Sequence, residues 1–393
     1  MPRRKTIPQE FIDLSQQVDA KSLKESIRGG FADFPDPRDS KDITYPVWYL
    51  VFSALCAYLS GCDDLAAIVH FVQIRRKWFS ELLEEDPGAP SYDTFWWFFV
   101  RTDPSMLKSL LQRWLGNLPT ALRGQLLAID GKRLNGASIA KPLVCLVELF
   151  ATENGLTLAV ERVPNKEGES KALPALLESV DVTGAIISGD ALYANNTIAT
   201  QITDKGADYI FGLKGNQGLL HAEVANFFDQ ARAVNYEGVT HDHYTTLEKG
   251  HGRTEERRIR VVTDIEWLPQ REAWSKLSTI IEVETKRQKG DKAEFFLRYY
   301  ISSRSGSAKE FAHWIRGHWG IENNLHWVAD VIFAEDESRS NVGNSAENMG
   351  LMRRLSMNLV KYVDSTRGFA DARRCAMYEP NYLKGLLAKM LVK

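Results

Sequence analysis

Five short apolar runs between residues 125 and 213 constrain the fold of this chain more than any other feature. The first three are rich in aliphatic and β-branched residues, and Asn154-Gly155, a hairpin turn signal, separates the second from the third. The last two, GAIISGDAL and DYIFGL, alternate with the helical patterns ESKALPALLESV and ANNTIATQITDKGA. A meander of three strands followed by alternating helix and strand predicts a mixed α/β sheet.

Helical patterns occupy residues 1 to about 120. The stretch PVWYLVFSALCAYLSGC offers about 15 mostly apolar residues before its glycine, or ~22 Å of helix against a bilayer core of ~30 Å. This length predicts a buried helix and no membrane span. Asp63 or Asp64, Ser91 and Asp103 are placed to begin further helices.

A strand-rich and strongly charged segment lies at about 217–300, with charged turns near residues 250–253 and 289–291. The helical pattern returns after Ser303 and continues into the C-terminal part of the chain. We therefore expect a helical N-terminal domain at 1–120, an α/β core at 121–365 and a helical tail at 366–393.

Overall charge gives no support to nucleic-acid binding, because 49 Lys and Arg stand against 51 Asp and Glu, a formal net charge of −2. Any such binding needs local basic patches. The four cysteines form no CxxC pair, so we expect buried reduced thiols and a cytoplasmic protein. The basic start, MPRRK, has no apolar run behind it, so we expect no signal peptide.

Two aspartates end apolar runs of the predicted sheet, Asp130 after LLAI and Asp190 after AIISG. A carboxylate at the end of a buried strand needs a partner. Two of them on separate strands of one sheet can hold divalent cations through hard oxygen ligands. The alternative is that each aspartate caps the loop or helix that follows it.

A third carboxylate, Glu322, lies in the helical stretch RGHWGIENNLHWVADVIF. At ~100° per residue, Glu322 lies about 90° from the middle of an apolar stripe, at the border where a side chain reaches a cleft beside the sheet. His318 and His326 share its face. Two rival interpretations stay open: His318, Glu322 and His326 as zinc ligands, or plain helix surface. The stripe consists of Trp314, Ile321, Leu325, Val328 and Ile332.

Taken in order, the motifs of this chain resemble those of the DDE transposases of bacterial insertion sequences, most closely the group of the H-repeat-associated proteins. The segments FADFPDPRDSKDITYPVWYLVFSALCAYLSGCDDL and PSYDTFWWFF resemble the helical domain ahead of the catalytic core in that group. The core motifs are AIDGKRLNGA, SGDALYAN, LKGNQ, HGRTEERRI, RYYISS and RGHWGIENNLHWVADVIFAEDESRS. The ordered set is specific, and the resemblance covers most of the chain.

The resemblance implies an RNase H-like (retroviral integrase-like) core in which Asp130, Asp190 and Glu322 are the catalytic residues and bind Mg²⁺ or Mn²⁺, as two ions. The implied activity is nicking of transposon ends by water, followed by joining of the freed 3′-hydroxyl to target DNA. The long interval between Asp190 and Glu322 fits relatives in which a strand-rich insertion, here at about 217–300, interrupts the core.

One motif departs from the pattern of cut-and-paste relatives, which carry Tyr and Arg before the glutamate and Lys after it. The equivalent positions here are Ile315, His318 and Ala329. No lysine stands at the last of these positions, which bears on how the terminal nucleotides are held.

The partners implied are double-stranded DNA, as transposon ends and as target, and further copies of the chain assembled on that DNA. Two other activities stay open: an inactive or domesticated DNA-binding relative, and a metal-dependent endonuclease that cuts without joining. The residues expected to contact DNA are Lys132, Lys214, Asn216, His251, Arg253, Arg257, Arg316, His318 and His326.

Overall fold

The computed structural model describes residues 24–26, 28–29, 36, 38, 43–116, 122–134, 144–164, 166–250 and 252–391. Among the described residues from Val47 onward, five helices precede the sheet: α1 (Val47–Leu59), α2 (Leu65–Ile74), α3 (Arg76–Leu83), α4 (Tyr92–Arg101) and α5 (Pro104–Gly116). The strands are β1 (Leu126–Leu134), β2 (Val144–Ala151), β3 (Leu156–Val163), β4 (Ile186–Gly189), β5 (Asp208–Leu213), β6 (Asp242–Gly250), β7 (Arg253–Val262), β8 (Thr279–Lys289) and β9 (Lys292–Ser302). The other helices are α6 (Leu173–Ser179), α7 (Asn196–Asp204), α8 (Gly218–Ala233), α9 (Ala308–His318), α10 (Trp327–Val331), α11 (Ser345–Val363), α12 (Phe369–Tyr378) and α13 (Pro380–Leu391).

The nine strands found among the described residues belong to one sheet, in the order β3-β2-β1-β4-β5-β9-β8-β7-β6. The first three strands form an antiparallel meander, and β1, β4 and β5 run parallel to one another. The predicted mixed α/β class is therefore confirmed. The strand-rich segment begins with α8, and its four strands then extend the same sheet, because β9 pairs antiparallel with β5.

Helices cover both faces of the sheet. Along β1, Leu127 and Ile129 point into the hydrophobic core that α6, α7 and α8 share with one face. Leu126 and Ala128 point to the other face, which is covered by α9, α10 and the segment between them. This alternation follows from the two-residue period of a strand, and it places Asp130 on the face of Ala128.

The N-terminal helices share one hydrophobic core with α11, α12 and α13. Two predicted helix starts are confirmed: Asp64 accepts the backbone N–H of Ala67 at 2.8 Å, and Ser91 accepts that of Thr94 at 3.3 Å. The predicted buried helix is α1, whose residues are almost all inaccessible. Among the helices that the structure describes, none combines the length and the apolarity needed to cross a membrane. The domain boundaries stay predictions.

Candidate active site

Two of the three predicted carboxylates lie side by side near the middle of the sheet. The parallel register of β1 and β4 pairs Ile129 with Gly189, so Asp130 and Asp190 come next on the two neighbouring strands. Asp190 directly follows the end of β4, as predicted. The prediction is wrong for Asp130, which lies inside its strand, because β1 continues to Leu134 in its pairing with β2.

Glu322 lies on a turn of π-helix, Ile321–His326, between α9 and α10. The sequence pattern predicts one continuous α-helix here. The structure differs because residues Ile321–His326 form a wider, π-helical turn. A π-turn holds one more residue than an α-turn and is frequent at functional sites. The apolar stripe nevertheless faces the core as predicted, with Ile321 and Leu325 buried, and Glu322 is exposed.

Close packing of α9 against β1 brings this turn to the sheet. A Cβ atom on Gly317 would lie 2.6 Å from Cδ2 of Leu126, so a larger residue would force the helix or the leucine to move. In the next position, Nδ1 of His318 lies 3.0 Å from the hydroxyl of Ser188 on β4. Burial lowers the pKa of His318, which favours a neutral ring. His318 therefore contacts the sheet through Nδ1, and its expected contact with a DNA phosphate stays a prediction.

The charges of Asp190 and Glu322 act on Asp130. Burial raises the pKa of Asp130 above its ordinary value, and Asp190 and Glu322 raise it further, against the lowering effects of His326 and the Gly131 N–H. That N–H donates to Oδ1 of Asp130 at 2.9 Å, and Nδ1 of His326 lies 3.7 Å from Oδ2. A group of carboxylates that repel one another is stabilised by a bound cation.

The side chains do not form a finished coordination sphere: in the described part of the chain, no three His, Cys, Asp or Glu residues are placed to hold a metal ion together. Of the residues in the rival zinc interpretation, His318 contacts Ser188 and His326 contacts Glu148, and that interpretation stays a prediction. Carboxylate oxygens remain the donors that Mg²⁺ and Mn²⁺ prefer. The donor chemistry of Asp130, Asp190 and Glu322 fits such an ion.

The sequence patterns do not predict the buried charge network that lies behind Asp130. Glu148 on β2 pairs with Asp130 in register and is inaccessible to solvent. Its carboxylate accepts from Nε of Arg354 at 2.5 Å and lies 3.1 Å from Nε2 of His326, and Arg354 also contacts the buried Glu335. Burial raises the pKa of Glu148, but Arg354 and His326 outweigh it and hold the pKa at about 2.

The sequence does contain a signal for this network. Glu148 interrupts the apolar run LVCLVELF, and a charged side chain in a buried strand requires a partner. The partner, Arg354, is 206 residues away on α11, a separation that no local pattern bridges. His326 takes part in this network, so its expected role as a DNA contact is not supported by its position.

The loop that carries Asp190 is braced by the turn after β5. The side-chain amide of Asn216 donates to the carbonyl of Ala191 at 2.6 Å. This bond gives Asn216 a role in positioning the loop, and the DNA contact expected for it stays a prediction. Lys214 precedes the same turn and is exposed.

Comparison with protein families agrees with the motif order. A family described as Transposase DDE domain matches residues 125–359, and one described as DDE_Tnp_1-associated matches residues 29–115. This chain belongs to the transposase DDE domain family. The first match spans the strands and helices that carry Asp130, Asp190 and Glu322.

Relatives in this family are similar over most of their length. "Putative transposase YncI" of Escherichia coli O157:H7 is 32% identical over 348 residues, covering 86% of this chain and 88% of the relative. "H repeat-associated putative transposase YhhI" of Escherichia coli strain K12 is 29% identical over 381 residues, covering 94% and 99%. The resemblance to the H-repeat-associated group is therefore confirmed. A piggyBac transposase synaptic complex with hairpin DNA aligns over all of this chain and 83% of that one, at 11% identity and a TM-score of 0.42.

In this member of the DDE family, the position of Lys132 does not agree with its predicted role as a DNA contact. Its side chain is buried, and its ammonium lies 2.5 Å from Asp330 and 3.5 Å from Asp336, so it neutralises carboxylates of the protein itself. Sequence patterns show that a lysine is present but not which way it points. His251 lies outside the described residues.

The three arginines among the predicted DNA contacts lie in one place. Arg253, Arg257 and Arg316 line a single cleft that also reaches Glu322. In the free protein each of them lies within 4 Å of a glutamate, either Glu248 or Glu255. Whether they contact DNA stays a prediction.

Proposed function

We propose that this protein is an active DNA transposase that cleaves transposon ends and joins them to target DNA in a metal-dependent reaction. The observation that carries the proposal is the side-by-side position of Asp130 and Asp190 on parallel strands, with Glu322 close enough to raise the pKa of Asp130. We assign β1 to β5 and their helices to an RNase H-like core, and we expect several copies of the chain to assemble on double-stranded DNA.

Asp130, Asp190 and Glu322 would hold the cations. A bound Mg²⁺ or Mn²⁺ pair supplies Lewis-acid activation of the nucleophile and stabilises the leaving oxygen. Asp130, whose pKa both other carboxylates raise, would contribute most to holding the cations. Nδ1 of His326 lies 3.7 Å from Oδ2 of Asp130, and Asn216 donates to the loop that carries Asp190.

The proposed reaction has two steps at phosphorus. In the first, water attacks an end phosphodiester, the bond to the 3′-oxygen breaks, and a free 3′-hydroxyl and a 5′-phosphate remain. In the second, that 3′-hydroxyl attacks a target phosphodiester, so one phosphodiester bond forms as another breaks. Both steps develop negative charge beside the carboxylates, which is why they require a cation there.

The test is a Mg²⁺-dependent nicking and strand-transfer assay on duplexes from the ends of the element that encodes the protein, with gel-shift binding at one salt concentration. We expect Asp130→Asn to abolish nicking and joining, because an amide is a poorer ligand for a hard cation than a carboxylate. DNA binding should be unchanged or slightly tighter, since the substitution removes a charge that repels phosphate.

Other outcomes separate the alternatives. Wild-type cutting without joining indicates an endonuclease, and binding without metal-dependent cutting indicates an inactive DNA-binding relative. Wild-type levels of cleavage in the Asp130→Asn variant contradict the assigned site. The matched control is Asp181→Asn, an exposed aspartate in the loop before β4, which should leave every readout unchanged.

A further inference from the structure

A cleft of about 930 Å³ separates the extended part of the sheet from α9. Its floor is the face of β6 to β9 that points toward α9, and its far wall includes Trp319 and Glu322. The cleft therefore runs from the tips of the inserted strands to the proposed catalytic carboxylate. Its cationic lining consists of Arg253, Arg257, Arg287, Arg298, Lys309 and Arg316.

Two glutamates form ion pairs with four arginines of this cleft. Glu255 lies 2.8 Å from Arg257, 3.6 Å from Arg287 and 3.7 Å from Arg253. Glu248 lies 3.0 Å from Arg257 and 3.3 Å from Arg316 on α9, so it bridges the floor to the wall. With two carboxylates shared among four guanidinium groups, the cluster keeps an excess of positive charge.

The arginines are also not saturated. Nε of Arg287 is buried and meets no acceptor among the described residues, although a buried donor without a partner is costly. Arg298 lies over the ring of Trp319, 5.6 Å from its centroid, and Trp319 is 37% exposed. Guanidinium groups bind phosphate oxygens in bidentate fashion, and an exposed indole offers a surface on which a base can stack.

The size of the cleft selects the form of nucleic acid. Pockets of ~300–1,000 Å³ take ligands of drug size, so this volume suits a few nucleotides of one strand. This volume is too small to enclose a duplex, which carries two phosphate backbones on either side of a major groove ~12 Å wide. The mixture of arginine and aromatic side chains is also that of single-strand binding grooves.

We propose that this cleft binds a short single-stranded segment of DNA, and that Glu248 and Glu255 stand in for its phosphates in the free protein. The strand displaces the two carboxylates from Arg257, Arg316 and Arg287, and a base stacks on Trp319. The proposal rests on the proposed function in one respect, the choice of DNA as ligand. It adds a binding site and a competition within the protein that sets its affinity.

The opposite face of the same strand supplies matched controls. Side chains of β7 alternate, so Arg258 and Glu256 point away from the cleft, and they form their own pair at 2.8 Å. Neutralising Glu256 removes the same charge from the same strand as neutralising Glu255. Any difference between the two variants therefore reports the cleft and not the net charge of the protein.

The experiment measures fluorescence anisotropy of a labelled oligothymidylate of about eight nucleotides, within the ~4–16-nucleotide range of single-strand sites, and of a duplex of equal length. The full chain is used in EDTA, so that binding is measured without cleavage. We expect Glu255→Gln to tighten single-strand binding by roughly two- to fivefold. This is the free energy of an ion pair whose arginines are partly exposed, expressed as a change in affinity. Glu256→Gln should change it by much less.

Loss of affinity is tested in parallel. Arg257→Ala should weaken single-strand binding and reduce the slope of log affinity against log salt by about 0.7, the value for one phosphate contact on a single strand. Arg258→Ala should leave the slope nearly unchanged. Trp319→Ala should weaken binding without changing the slope, because stacking releases no counterions. A gain of affinity in Glu255→Gln cannot arise from misfolding, so the pair of variants stays informative if Arg257→Ala unfolds.

The proposal is overturned if Glu255→Gln and Glu256→Gln change single-strand affinity equally. It is also overturned if Glu255→Gln raises affinity for the duplex as much as, or more than, affinity for the single strand. Because the assay needs no metal, its result is independent of catalysis. Cleft-dependent binding by a chain that never cuts DNA supports the site and contradicts the transposase activity. If the chain cuts end duplexes but Arg257→Ala leaves its single-strand binding unchanged, the transposase activity is supported and the single-strand site is contradicted.

Discussion

Asp130 is a carboxylate held in an environment that opposes its charge. It lies inside β1, between Asp190 on one neighbouring strand and Glu148 on the other. Arg354 and His326 both contact the carboxylate of Glu148 and stabilise its charge. Asp190 and Glu322, by contrast, oppose the charge of Asp130, and a bound metal ion would offset that repulsion.

The residue-scale prediction concerns Arg354. Replacing it with Met leaves Glu148 and Glu335 buried without their main counter-charge, and should lower the free energy of unfolding by about 3–5 kcal/mol at neutral pH. Urea unfolding measures this difference. An Arg374→Met variant, altered on the exposed side of α12, should lose less than about 0.5 kcal/mol.

The pH dependence of the same variant follows from the pKa of Glu148. In the wild type that pKa is about 2, below the ordinary 4.5, so its stabilising contribution is complete above about pH 4.5 and is lost as the pH falls toward 2. Without Arg354, the raising effect of burial is no longer outweighed, and Glu148 takes up a proton on mild acidification. The stability deficit of Arg354→Met should therefore shrink between pH 7 and pH 4; a constant deficit would contradict the network.

At the scale of elements, the π-turn is what the sequence does not reveal. The apolar stripe and the position of α9 follow from helical periodicity, and five strands with their hairpin follow from short apolar, β-branched runs and a turn signal. The pairing of β9 with β5 and the extra residue in the turn at Glu322 depend on tertiary packing. Side-chain directions depend on it as well, which is why Lys132, His318 and Asn216 contact the protein's own groups.

The element-scale prediction is a deletion in the π-turn. Removing Asn324, which is exposed, should convert the turn to ordinary α-helix while α9 and α10 keep their buried faces. The fold should survive with a modest loss of stability. Nicking and joining should be lost, because Glu322 and His326 no longer approach Asp130 together. Asn324→Ala, which keeps the turn, is the control and should retain activity; an active deletion variant would show that the π-turn is dispensable.

At the scale of the whole molecule, the helices before the sheet and those after it are one packing unit. α1 lies in the core with α11, and Asn348 on α11 donates to the carbonyls of Phe99 and Thr102 near the end of α4. The sequence predicts both sets of helices but not their association. This packing anchors α11, and through Arg354 it reaches Glu148 and the centre of the sheet.

The measurement that tests the central claim most directly is Mn²⁺ binding to the full chain, followed by electron paramagnetic resonance of the free ion. We expect the wild type to bind Mn²⁺, and Asp130→Asn, Asp190→Asn and Glu322→Gln each to weaken that binding by about tenfold or more, at least as much as the loss of an outer-shell partner. Glu256→Gln, which removes one charge far from the site, should bind as the wild type does. Unchanged Mn²⁺ affinity in all three site variants would contradict the assignment of Asp130, Asp190 and Glu322 as the metal-binding carboxylates.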